Sequence, residues 1–144
     1  MSKGKRPNLN HARTMDIDAW RSRQITKRLK ARLTAQTQEF MDRHGGDTDE
    51  QLREYVRSRA EALRRMPHPL EIRGGIYLSK RLGDWARVAK ELGFNPVSHE
   101  QGRRAYKLHR EREAELFAQE RKAEKEAKRQ QRLQRLRDSK ATKV

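Results

Sequence analysis

Residues 67–94 read PHPLEIRGGIYLSKRLGDWARVAKELGF, and they decide the fold because glycines and prolines divide them into short elements. The run 76–82 has the composition of a short helix, and Gly83 ends it. Asp84 can cap a second helix, which Gly93 closes. Two short helices joined by a tight turn are typical of a helix-turn-helix-like domain. The side chains that we expect in its core are Trp85, Leu78, Leu82, Val88, Leu92 and Phe94.

Longer helical patterns lie on both sides of this stretch. The capping-box pattern that starts a helix occurs at Thr48 to Gln51 and again at Ser98 to Gln101. The sequence therefore predicts an all-α fold, with a small helix-turn-helix-like head flanked by a long N-terminal helix and a long basic C-terminal helix. The predicted segments are a disordered basic tail (1–15), an N-terminal amphipathic helix (16–46), the compact head (47–97), a long charged helix (98–138) and a disordered tail (139–144).

The charge of the chain is concentrated at its two ends. The 144 residues include 36 Lys and Arg against 20 Asp and Glu, which is a formal net charge of +16. Residues 1–33 and residues 103–144 each carry +8, whereas residues 34–102 hold eleven basic and eleven acidic groups. An excess of this size favours a polyanionic partner, because a mixed-sign surface near neutrality is enough for solubility.

Part of the chain resembles a known DNA-binding module. The residues that carry the resemblance are Pro67, Glu71-Ile72, Gly75, Tyr77-Leu78, the run from Lys80 to Trp85 and the run from Glu91 to Phe94. Together, residues 52–94 resemble the homing-endonuclease-associated repeat, although Leu82 stands where phenylalanine is common and the chain has a single copy. The resemblance implies a compact helix-turn-helix-like DNA-binding unit in which Trp85 belongs to the core. Stacking of Trp85 on an unpaired base is the alternative.

Basic side chains of the head and of both arms are the predicted nucleic-acid contacts. Arg87 and Lys90 lie on the side of their helix away from Trp85, and the second helix of a helix-turn-helix pair enters the major groove. We expect Arg87 to read a base, because arginine can bind guanine with two hydrogen bonds. The alternative is that these cations are ordinary solvated charges. The predicted contacts are Lys80, Arg81, Arg87, Lys90, Arg73, Lys3, Lys5, Arg6, Arg13, Arg103, Arg104 and Lys107.

Residue patterns that would indicate catalysis or a metal are missing from the sequence. There is no cysteine, and the five histidines do not have metal-ligand spacing. We therefore predict a protein that is not an enzyme and that has no cofactor, no metal and no catalytic residue. No apolar run approaches the roughly 20 residues that a spanning helix needs. We expect a cytoplasmic protein, associated with the nucleoid or the ribosome, that does not bind membranes.

Three functions are compatible with this pattern. The first is a DNA-binding accessory or regulatory protein, of the kind carried by a mobile element or phage, whose basic arms bind the phosphate backbone. The second is an RNA-binding or ribosome-associated protein that uses the basic helices and tails. The third is a helical scaffold for a protein partner, which the weak heptads of the long helices disfavour. A homodimer is possible if the apolar stripe of Trp20, Ile25, Leu29 and Leu33 packs on a second copy.

Overall fold

The computed structural model describes the backbone of residues 9–142 and the side chains of residues 16–142. The described chain is all-α, and it contains no strand between residues 9 and 142. This confirms the predicted fold class, including the long N-terminal and C-terminal helices. The elements are α1 (Leu9–His44), α2 (Asp49–Leu63), a 3₁₀ turn (Pro69–Glu71), α3 (Gly75–Leu82), α4 (Trp85–Glu91) and α5 (His99–Thr142).

Both long helices extend further than the sequence predicted. α1 begins at Leu9, within the segment expected to be a disordered tail, and α5 continues to Thr142 instead of ending near residue 138. Neither extension contains glycine or proline, and adding a residue to an existing helix needs no new nucleation step. The remaining residues of the two predicted tails, 1–8 and 143–144, lie outside the described residues.

The chain forms two compact units, one up to Arg110 and one from Glu111. The first unit is larger than the predicted head, because Phe40 of α1 belongs to the main core and Ala105 of α5 is buried. A head of about 50 residues has a high ratio of surface to volume, so packing from neighbouring helices adds the burial that it lacks. The core consists of Phe40, Leu52, Val56, Met66, Ile72, Leu78, Val88, Ala89 and Leu92.

The apolar stripe of α1 is buried within the chain. Ile25 and Leu29 are 7% and 3% exposed, and Leu33 is half-buried. A helix of 3.6 residues per turn places these positions on one side, and the opposite side carries charged residues. The stripe considered above as a dimer surface is therefore already covered, except at Trp20, which is 39% exposed.

Local capping interactions start α2 and α5 where the sequence predicted. The Thr48 side chain accepts a hydrogen bond from the backbone N–H of Gln51, and the Gln51 side chain accepts one from the backbone N–H of Thr48. Ser98 and Gln101 make the same reciprocal pair at the start of α5. Both predicted capping boxes are confirmed. The sequence could predict them because each depends only on two residues three positions apart.

A histidine caps the 3₁₀ turn between α2 and α3. The ring Nδ1 of His68 accepts a hydrogen bond from the backbone N–H of Leu70 at 3.0 Å, and Glu71 accepts one from the backbone N–H of His68 at 2.8 Å. Nδ1 can accept only while it is unprotonated. Burial lowers the pKa of His68 below its ordinary value of 6.5, and the opposing effect of the Glu71 carboxylate is smaller.

We therefore expect part of the stability of the first unit to depend on neutral His68. Because the pKa is lowered in the folded state, this contribution is complete above about pH 6.5 and is lost as the pH falls through the folded-state value. His68→Asn keeps a capping acceptor that does not titrate, so its free energy of unfolding should vary less between neutral and mildly acidic pH. His68→Ala should cost about 0.5–1 kcal/mol at neutral pH.

Urea unfolding followed by tryptophan fluorescence at several pH values measures these differences. His99→Asn, at an exposed position, is the matched control and should follow the wild type. A wild-type pH dependence that the His68→Asn variant reproduces in full would assign the effect to other groups.

Candidate nucleic-acid interface

The guanidinium of Arg81 already has hydrogen-bond partners within the protein. Its guanidinium donates to the Tyr77 hydroxyl at 2.8 Å, to the Asp49 carboxylate at 3.1 Å and to the backbone carbonyls of Gly45 and Asp47. The interactions with Tyr77, which have the largest effect, and with Asp49 raise the pKa of Arg81 above its ordinary value. The side chain therefore ties α3 to the loop between α1 and α2. A phosphate contact by Arg81 would require it to give up these bonds, and that contact stays a prediction.

Two other predicted cations of the head are paired with carboxylates. Arg73 lies 3.5 Å from Glu39 of α1, and Arg87 donates to Glu91 one turn later on α4 at 3.2 Å. Glu91 also lies 3.5 Å from Nε of Arg53 on α2. The Arg87 side chain is 76% exposed, so it can still reach a ligand, but it would share its charge with Glu91. Base reading by Arg87 stays a prediction.

The other predicted contacts have different surroundings. Lys80 and Lys90 are exposed, and no described carboxylate pairs with either of them. Arg103 and Arg104 are both exposed on α5 and both lie 3.6 Å from Glu100, and Lys107 is exposed. Lys3, Lys5 and Arg6 lie outside the described residues, as does the side chain of Arg13.

The motif residues that carry the family resemblance have structural roles. Trp85 donates from its indole nitrogen to the Pro67 carbonyl at 2.8 Å, and Gly83 has a φ of +84°, which favours glycine. The Asp84 side chain caps α4 by accepting from the backbone N–H of Ala86. Of the predicted core residues, Leu78, Val88 and Leu92 are buried, and Leu82, Trp85 and Phe94 pack against them. The motif therefore explains how the head folds without requiring any of these residues to contact DNA.

The outer face of α1 is a positively charged surface that the sequence analysis did not include among its candidate sites. Residues 19–38 contain six Lys and Arg and no Asp or Glu, and they extend over about 30 Å of helix. Arg23, Lys27 and Lys30 are exposed on the side away from the buried stripe. Among the described residues, no carboxylate pairs with any of these three. The signal that could have identified them is the run itself, which is the longest stretch of the sequence without an acidic residue.

A lysine from another part of the chain extends this face. Lys80 of α3 and Lys30 of α1 line one groove of about 320 Å³, together with the side chains of Ile76, Thr34 and others. None of the residues that line the groove is acidic. We call Arg23, Lys27, Lys30 and Lys80 the basic face. Lys30 and Lys80 are 50 residues apart in the sequence, and only the fold brings them together.

The second unit has its own charged region. Residues 111–120 of α5 carry one basic and four acidic side chains, whereas residues 121–140 carry nine basic and three acidic ones. Every residue from 118 to 142 is exposed. We call residues 121–140 the basic segment. It presents cations around a solvated helix that is stabilised by good helix formers rather than by burial.

No family model, curated protein or solved structure matches the chain. The resemblance to the homing-endonuclease-associated repeat therefore remains a prediction. Within residues 16–142, no three histidine or acidic side chains are grouped so that they could hold a metal ion. Among the described helices, none combines the length and apolar character needed to cross a bilayer.

Proposed function

We propose that the protein is a non-enzymatic nucleic-acid-binding protein that docks its basic face on the phosphate backbone of duplex DNA. The observation that carries this proposal is the acid-free run on α1, whose exposed cations Arg23, Lys27 and Lys30 have no carboxylate partner among the described residues. Cations in this state release counterions when they neutralise phosphates, and this release supplies most of the affinity of unspecific binding.

The paired cations of the head are less suited to this role. Arg73, Arg81 and Arg87 would have to weaken existing interactions with Glu39, Asp49 and Glu91 before they could neutralise a phosphate. Many of the cations in residues 34–102 are thus occupied by ion pairs within the fold. Because phosphate contacts position a protein without reading sequence, we propose that binding has little sequence preference, with Lys90 and Arg87 as the candidates for any base contact.

A competitive titration of the full-length protein tests this proposal. Duplex DNA, duplex RNA and single-stranded DNA of equal length compete at about 50 and 200 mM salt. Two variants with the same change of net charge are compared, Lys27→Gln with Lys30→Gln on α1 and Arg87→Gln with Lys90→Gln on α4. The α1 variant should lower the log–log salt slope on duplex DNA by about 2 and the affinity by roughly tenfold or more. The α4 variant should have a much smaller effect.

Three results would contradict the proposal. A larger loss in the α4 variant would make α4 the docking element. Tighter binding to duplex RNA would favour the RNA-binding alternative, in which A-form geometry and 2′-hydroxyls are recognised. Failure to bind any of the three nucleic acids would reject the function.

A further inference from the structure

A second surface of the first unit, separate from the basic face, forms an open groove of about 740 Å³. It lies between the 3₁₀ turn, the start of α4, the 96–98 connection and the start of α5. The volume is in the range of about 300–1,000 Å³ that is usual for ligand-binding clefts. The side chains that matter here are His68, Trp85, Pro96, Val97, Arg103 and Tyr106.

The walls of the groove are held in place by specific contacts. Because the indole nitrogen of Trp85 already donates to the Pro67 carbonyl, the ring has no unsatisfied polar edge. Gly102 lets α5 approach the imidazole of His68, since a Cβ at this position would lie 3.0 Å from its Nε2. The groove therefore exists in the folded chain without any ligand to order it.

Tyr106 is in contact with Arg110 and is also partly exposed to solvent. The guanidinium of Arg110 lies 6.0 Å from the centre of the Tyr106 ring, and its own position is set by hydrogen bonds to Thr26 at 2.6 Å and to Ser22. Nevertheless, Tyr106 is 43% exposed. A large aromatic side chain held in place yet so exposed presents a flat surface to a planar ligand.

The charge around the groove selects against a cationic ligand. Arg103 is 78% exposed on the rim, and Lys107 and Arg110 follow on the same helix. The nearest carboxylate on that helix, Glu100, is already shared between Arg103 and Arg104. A planar group that carries a negative charge beside it fits both the aromatic walls and this rim.

We propose that the groove binds an unpaired base of a nucleic acid, stacked on Tyr106 and Trp85, with the adjoining phosphate on Lys107, which is exposed and has no carboxylate partner among the described residues. This inference rests on the proposed function and deepens it, because it gives the protein a preference for DNA with unpaired bases. Stacking on an aromatic side chain changes affinity by about 5- to 150-fold per base. The preference comes from stacking and therefore tolerates any base.

The test uses the full-length protein and two DNA duplexes of equal length, one fully paired and one with a short central run of mismatched thymidines. Tyr106→Leu should lower affinity for the mismatched duplex by about 5- to 150-fold, and for the paired duplex by less than about twofold. Tyr106→Phe, which keeps the ring, should restore binding. Leu108→Ala, at a residue 62% exposed on the same helix, is the control and should change neither affinity.

An optical measurement reports the groove directly. The chain has two tryptophans, so Trp20→Phe leaves Trp85 as the sole indole fluorophore. Stacking of a base should quench its emission with the mismatched duplex and much less with the paired one.

Equal losses on both duplexes in the Tyr106→Leu variant would overturn the inference, as would quenching by a proline-rich peptide instead of the mismatched DNA. Binding of the paired duplex that depends on Lys27 and Lys30, with no preference for mismatches, would reject the groove site alone. Failure to bind either duplex would reject both this inference and the proposed function.

Discussion

Gly75→Ala is expected to lower the free energy of unfolding by about 3 kcal/mol or more, and the melting temperature of the first unit by more than about 10 °C. A Cβ at this position would lie 1.8 Å from the carbonyl oxygen of Pro69 and 2.5 Å from its carbonyl carbon. Both atoms belong to the backbone of the 3₁₀ turn, so no side chain can rotate to relieve the clash. The turn would have to move away from α3.

The consequences of that movement reach the core. Glu71 in the turn pairs with Arg65, and Ile72 directly after it is buried. Displacing the turn would therefore also disturb the packing of α3, whose Leu78 is fully buried. This is why we expect an effect well above the average cost of a point substitution.

Thermal unfolding followed by tryptophan fluorescence measures the effect, because circular dichroism would be dominated by the long helices α1 and α5. Gly46→Ala is the control, since a Cβ there would meet nothing within 4 Å. Gly46→Ala should leave the melting temperature close to that of the wild type. Equal melting temperatures for the two variants would show that the contact between residues 69 and 75 relaxes at little cost.

Deletion of residues 121–144 is expected to weaken binding to duplex DNA by at least about 100-fold near 100 mM salt, without destabilising the first unit. The deletion removes the basic segment, whose nine cations exceed its three carboxylates. If six of these cations contact phosphates, the log–log salt slope should fall by about 5. Stability should be preserved because every residue from 121 to 142 is exposed.

A full-length variant separates charge from apolar contact in this segment. Leu133→Ala with Leu136→Ala removes its largest apolar side chains, which are 38% and 55% exposed, and leaves all charges in place. We expect its DNA affinity, measured by anisotropy titration, to equal that of the wild type. Unchanged affinity after the deletion, or an equal loss in the double alanine variant, would contradict a phosphate-binding role. The second outcome would favour the scaffold function.

The chain uses its charged side chains in two different ways. In the head, arginines such as Arg65 and Arg81 are partners of carboxylates and backbone carbonyls, and they hold loops against helices. On α1, Arg23, Lys27 and Lys30 have no carboxylate partner among the described residues, and along the basic segment cations outnumber carboxylates. The net charge of +16 therefore comes from the two ends of the chain, because residues 34–102 hold eleven basic and eleven acidic groups.

The candidate site was only partly predictable from the sequence. Lys80 was predicted and lies on the basic face, whereas Arg23, Lys27 and Lys30 were not among the predicted contacts. Arg81 was also predicted, and the structure shows that its guanidinium donates to Asp49 and to the Gly45 carbonyl. A lysine or arginine that contacts a ligand and one that binds another part of the chain look the same in the sequence. Which partner it has depends on the groups that the fold places near it.

The sequence by itself determined where α2 and α5 begin, where α3 ends, and where charge accumulates. The capping boxes at Thr48 and Ser98 and the turn at Gly83 act within a few residues, so local chemistry is sufficient to specify them. Only the tertiary structure decided that Lys30 and Lys80 share a groove and that Trp85 and Tyr106 line another. Those arrangements depend on packing between segments far apart in the chain, and a local sequence pattern does not specify which distant segments come into contact.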